Sequence, residues 1–125
     1  MGALRFSDDH EWALLEDGTV TVGITEFAQD QLGELVFVEL PTVGRPVSQG
    51  DDAAVIESVK AAGEVKSPVS GTIMEINESL VDTPEKVNED AMGEGWIYKV
   101  GIADSTEWES LMDEAAYAAL VANES

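Results

Sequence analysis

The chain has no cysteine among its 125 residues and a single histidine, His10. Disulfides, thiolate nucleophiles and cysteine metal sites are thereby excluded. A Ser–His–Asp triad could draw only on His10, and a site with several histidine ligands cannot be assembled. Basic residues are also scarce: six Lys and Arg stand against 26 Asp and Glu, for a formal charge of −20. Residues 1–60 carry 3 basic and 12 acidic groups and residues 61–125 carry 3 and 14, so the acidity belongs to the whole surface and not to a tail. Such a surface repels nucleic-acid phosphates and anionic membranes. A basic protein partner remains allowed, because complementary charge speeds encounter. The longest apolar run, residues 115–122, falls far short of a membrane span. The opening Met1-Gly2-Ala3-Leu4-Arg5-Phe6 has no apolar signal core and no Arg/Ser-rich amphipathic pattern, so a cytoplasmic address is expected.

What is present is a globular composition, 44% apolar, in a length that suits one domain. Trp12-Ala13-Leu14-Leu15 and Thr19-Val20-Thr21-Val22-Gly23-Ile24 flank Asp17-Gly18, a hairpin signal because both turn positions must accept positive φ. Thr25 is placed to cap a short helix over residues 26–32, with Gly33 as its stop. Residues 35–40 form a nearly continuous apolar run, expected as a strand buried on both faces. Further strands are expected at residues 53–56, from Val65, at 72–76 and at 96–100. Thr83-Pro84-Glu85-Lys86 reads as one capped helical turn. From Asp104 the period becomes helical, through Trp108, Leu111, Met112, Ala115, Ala116, Ala119 and Leu120, and Asp104 with Glu107 forms a capping pair. These elements predict a mainly β, antiparallel sandwich or flattened barrel of seven short strands. It carries short helices and a C-terminal amphipathic helix. The single domain spans 1–125, with its core at about 6–103 and the helix at about 104–121.

The chemistry-bearing segment is Glu57-Ser58-Val59-Lys60-Ala61-Ala62-Gly63. Lys60, one of four lysines, falls at the tip of an expected hairpin between small neighbours. A lysine displayed in this way suits covalent attachment of a cofactor arm, because a modifying enzyme must reach the amine and the arm must swing clear. By composition alone an ordinary solvated turn lysine is the better account. The acid pairs Asp8-Asp9 and Glu89-Asp90 lack the spaced oxygen ligands of a calcium loop, and Gly93-Glu94-Gly95 is too short for a phosphate loop. The three tryptophans read as core.

Glu57-Ser58-Val59-Lys60-Ala61, followed by Ser67-Pro68-Val69-Ser70-Gly71, resembles the lipoyl-lysine hairpin of the glycine cleavage system H proteins. Four more segments agree in order. They are His10-Glu11-Trp12, residues 21–29, residues 32–41, and Val87-Asn88-Glu89-Asp90 with Gly93-Glu94-Gly95-Trp96. The match runs from about Phe6 to Tyr117. Val59 and Ala61 distinguish the chain from biotinyl domains, which place Met on both sides of the lysine. Val59 and the C-terminal helix separate it from acyltransferase lipoyl domains.

The resemblance implies a lipoyl-domain-like fold and a non-catalytic carrier with lipoic acid covalently attached to Lys60. Such a carrier takes an aminomethyl group from a pyridoxal-phosphate glycine decarboxylase to a tetrahydrofolate-dependent aminomethyltransferase. Its dithiol is reoxidised by a FAD-containing dihydrolipoamide dehydrogenase. A lipoate-attaching enzyme is the fourth partner, with Glu57 as a recognition residue for it. Glu11 and Glu64 are expected to dock the loaded arm, and His10 to be a strand residue near the arm's resting place. A monomer without metal is expected. The alternatives are a carrier that relays lipoyl groups during protein lipoylation, a biotinyl or other acyl carrier, and an acidic binding module with unmodified Lys60.

Overall fold

A computed structural model of the chain describes residues 3–124. Met1, Gly2 and Ser125, the ends of the expected domain, lie outside the described residues. Nine strands and five short helices build two antiparallel sheets among them. The larger sheet orders β1 (Ala3–Phe6), β2 (Glu11–Glu16), β3 (Thr19–Ile24), β9 (Tyr98–Ile102), β8 (Gly71–Ile76) and β5 (Pro46–Val47). The smaller orders β4 (Leu35–Glu39), β6 (Asp52–Ser58) and β7 (Ala62–Lys66).

The first hairpin forms as its sequence dictates. Asp17 and Gly18 both take positive φ, 50° and 78°, and Glu16 pairs with Thr19. Val20, Val22 and Ile24 point into the core. Gly23, on the other face, is covered by Trp12, whose ring would lie 2.6 Å from a Cβ at that position. The Trp12 indole donates to the Ala91 carbonyl at 2.9 Å. Helix α1 (Glu26–Leu32) begins at Thr25, whose hydroxyl accepts from the Ala28 amide, and ends at Gly33 with φ 85°. The side chains between the sheets, Leu35, Val38, Ile56, Val65, Ile73 and Val100 among them, form one buried cluster. A second, smaller cluster joins Phe6, Trp12 and Tyr117.

Five elements or pairs of elements of the fold differ from the sequence reading. Two strands, β1 and β5, are short edge pairings without a pattern of their own. The last strand starts at Tyr98 and not at Trp96. β4 is buried on one face only: a register shift against β6 between Leu35 and Phe37 turns both Val36 and Phe37 to solvent. The expected turn at residues 83–86 is preceded by α2 (Ser79–Asp82), and the helix itself, α3 (Lys86–Glu89), starts after Pro84.

The fifth difference is the C-terminal helix, which is two helices, α4 (Ser105–Glu109) and α5 (Glu114–Glu124). They are separated where Met112 pairs with Phe6 through two backbone hydrogen bonds. That break rephases the helix. Ala115, Ala116 and Ala119 are exposed, and Tyr117 faces the second cluster with Leu120 and Val121 packed beside it. Asp104 caps α4 through the Thr106 amide. Glu107 makes no capping box. Its carboxylate instead accepts from the Ser70 amide and hydroxyl, at 2.7 and 2.8 Å, tying α4 to the β7–β8 corner.

Candidate functional site

β6 and β7 pair from Asp52↔Lys66 to Glu57↔Ala62, which leaves Ser58-Val59-Lys60-Ala61 as the turn. Ser58 fixes its shape. The Ser58 amide donates to the Ala61 carbonyl at 2.7 Å. Its hydroxyl accepts from the Lys60 and Ala61 amides at 3.3 and 3.0 Å. A serine can close such a turn locally, without positive φ at its centre, and neither Val59 nor Lys60 has it. Both are exposed.

The tip rests on the loop between α1 and β4. The Val59 amide donates to the Glu34 carbonyl at 3.1 Å. The Lys60 stem lies against Gly33, so that a Cβ at position 33 would stand 3.2 Å from Lys60 Cε. Asn88, on α3, holds that loop from behind. Its amide nitrogen donates to the Gly33 carbonyl and to Gln29 Oε1, and its oxygen accepts from the Leu35 amide. Lys60 makes no ion pair among the described residues.

Below the tip, between the hairpin, β2, α1 and α5, lies a cleft of about 340 Å³. Ile24, Phe27, Ala28, Leu32 and Ile56 give it apolar walls, while Asp9, Glu11, Glu64 and Glu124 give it carboxylates. Glu11 and Glu64, distant in sequence, therefore share one cleft next to the Lys60 hairpin. Glu64 is exposed. Glu11 is buried at 3% exposure. Ser7 Oγ donates to it at 2.5 Å and the Lys66 amide at 3.3 Å. Burial pushes the Glu11 pKa up to about 7, against the pull of those two hydrogen bonds, with Asp9 adding repulsion. Glu57 lies outside this cleft, exposed on β6 opposite Phe37 and Ala62.

His10 is not a strand residue. It occupies a turn with φ 67°, where its ring bridges Tyr117 Oη at 2.8 Å and Glu124 Oε1 at 3.0 Å and packs on Phe27. Tyr117 in turn bonds the capping Thr25 hydroxyl at 2.6 Å. This chain of contacts fixes α5 over the cleft.

Sequence reasoning missed Ser58, Gly33 and Asn88 as parts of the site. Ser58 carries a turn signal that could have found it. Gly33 is legible only as a helix stop, and nothing local connects Asn88 to a loop more than 50 residues away. Among the described residues no group of three or more His, Asp and Glu is gathered to hold a metal.

Comparison with known proteins places this geometry in a family. Residues 4–124 match the family model described as Glycine cleavage H-protein. A glycine cleavage system H protein of Parvibaculum lavamentivorans is 54% identical over 121 residues, covering 97% of each chain. One of an Enterobacter species is 57% identical over 122 residues, covering 97% of this chain and 95% of its own. The crystal structure of a glycine cleavage system H protein from Mycobacterium marinum superposes with TM-score 0.83 at 37% identity. It covers 95% of this chain and 96% of that one.

Proposed function

The chain belongs to the glycine cleavage H-protein family, and on that footing we propose that it is a carrier that bears lipoate in amide linkage on Lys60. The observation that carries this reading is the display of one unpaired primary amine on a serine-closed tip, beside a cleft with apolar walls and an acidic rim. The residues fit the group: the amine is open to an acylating enzyme, and the apolar walls suit a hydrocarbon arm. Amide formation joins the lipoyl carboxyl carbon to Lys60 Nζ. It expels the leaving group of an activated acyl donor, and the amine must lose its proton to attack.

When attached, the lipoyl disulfide supplies the redox and group-transfer chemistry. The protein's part is presentation. The cargo is an aminomethyl group travelling from a glycine decarboxylase to a tetrahydrofolate-dependent aminomethyltransferase, with dihydrolipoamide dehydrogenase restoring the disulfide. Glu11 and Glu64 face a cationic amine brought into the cleft. The buried Glu11 gives the stronger attraction, because an exposed pair contributes only about 0.2–1 kcal/mol. Glu57 belongs to the surface met by the lipoate-attaching enzyme. The carrier has no catalytic residue of its own and works in the cytoplasm.

Intact mass after incubation with a lipoate–protein ligase, lipoate and ATP tests the reading. Wild type gains one lipoyl group, on Lys60 by peptide mapping, and Lys60→Arg gains none while keeping its fold. An unmodified wild type, or lipoate on Lys66, Lys86 or Lys99, overturns it.

A further inference from the structure

Exposed large apolar side chains are informative where they are contiguous. Of the seven among the described residues, Val36, Phe37, Val59 and Val81 stand on β4, the hairpin tip and α2, while Val43, Met74 and Met92 lie elsewhere. The register shift in β4 turns out Val36 and Phe37, at 51% and 47% exposure, and Val59 stands at 69% on the tip. Phe37 pairs with Glu57 and Leu35 with Ser58, so this strip runs directly from the turn that presents Lys60. It continues into a groove of about 510 Å³ between β4 and α2, lined by Phe37, Leu40, Ile76 and Val81. Val81 is itself 59% exposed. The charged residues on the groove are Glu39, Glu78 and Asp82, with no Lys or Arg.

We propose that this groove is the docking surface for the enzyme that acylates Lys60, and that the partner enters it with an apolar side chain ringed by Lys and Arg. The inference rests on the reading of Lys60 as the attachment site. Two arguments select this occupant. The first is size. The tip offers only Val59, Lys60 and small neighbours, whereas a specific interface needs about 800 Å² on each partner. An enzyme that reaches Lys60 must therefore spread onto adjoining surface, and the apolar strip is continuous with the tip. The second is charge. An apolar floor inside an all-acidic rim, on a protein of net charge −20, complements a basic rim and steers its approach.

The experiment measures initial rates of lipoylation of the full chain by a purified lipoate–protein ligase. Phe37→Ser with Val81→Ser lowers kcat/KM about tenfold, as expected for central apolar anchors, and leaves kcat at saturating carrier nearly unchanged. Acylation of Lys60 by a small amine-reactive ester stays at the wild-type rate. Met74→Ser, an equally exposed apolar site on the other sheet, has no effect. Glu39→Gln with Asp82→Asn, which spares the apolar floor, weakens the salt dependence of kcat/KM. A wild-type kcat/KM in the Phe37/Val81 variant, or an unchanged salt dependence in the charge variant, overturns this inference alone. Absence of lipoyl on Lys60 of wild type overturns it together with the reading beneath it.

Discussion

In an unfolded chain Glu11 loses its proton near pH 4.5; in the fold, burial moves that midpoint to about 7. The folded state therefore binds the proton more tightly than the unfolded state does. Between these two values unfolding releases a proton, and stability falls as pH rises. The difference corresponds to about 3 kcal/mol lost across that window. Glu11→Gln keeps the shape and an acceptor for Ser7 Oγ but cannot ionise. Denaturant unfolding from pH 5 to 8 should show the variant gaining on wild type by that order. A constant difference across the range would mean that Glu11 ionises as freely in the fold as outside it. Near pH 7 the group is poised: a cationic amine entering the cleft favours the carboxylate, and an empty cleft favours the acid. The motif resemblance singles Glu11 out among the 26 acids, but nothing in the local sequence marks it as buried. Its surroundings combine the turn just before it, with Ser7 and Asp9, and Lys66 on β7, 55 residues away in sequence.

At the level of elements, the hairpin that presents Lys60 is held by contacts that its own residues do not reveal. The sequence predicts the turn correctly from the small residues around Lys60. The platform beneath it needs the α1 stop, the α3 asparagine and the β4 entry to meet. Gly33 is the point where they do, with φ 85° and the Lys60 stem 3.2 Å from a would-be Cβ. Gly33→Ala should cost about 1–3 kcal/mol of stability through backbone strain. It should also displace the Lys60 side chain, read as a changed rate of amine labelling at Lys60 relative to Lys99. An unchanged melting temperature would show that the loop relaxes freely. The C-terminal helix teaches a related lesson. The apolar period ran unbroken through residues 108–120 and predicted one helix, but the Phe6–Met112 pairing interrupts it. A periodic pattern cannot register a break imposed by a strand from the other end of the chain.

For the whole molecule the charge imbalance has a structural counterpart. Among the described residues the one basic–acidic side-chain contact is His10 Nε2 to Glu124 Oε1 at 3.0 Å, an ion pair only when the imidazole carries a second proton. Three of the six Lys and Arg are engaged elsewhere. Arg5 lies over Trp108 and donates to the Glu109 and Leu111 carbonyls. Arg45 donates to the Asp52 carbonyl, and Lys99 lies over Trp96. The acids thus repel one another with little local compensation, and that repulsion opposes compaction. Salt screens it over about 10 Å at 0.1 M. The melting temperature at pH 7 should therefore rise with NaCl through the first few hundred millimolar, as followed by calorimetry. A flat or falling curve would show that the acids are spaced well enough to be harmless.

The sequence by itself determined the local events, and through its motifs the family. Asp17-Gly18 dictated a hairpin because its turn needs positive φ. Thr25 and Gly33 bounded α1 because one supplies an acceptor for free amides and the other has no Cβ. Alternating apolar residues assigned β3 its inner face, and small residues put Lys60 on a tip. These outcomes depend on neighbours within a few positions, so they are written in consecutive residues. Only the tertiary structure decided that Glu11 is buried, that Glu11 and Glu64 share a cleft, that Asn88 braces the Lys60 platform, and that Phe37 faces solvent. Each of these depends on which distant segment packs against the residue, and desolvation is a property of that packing.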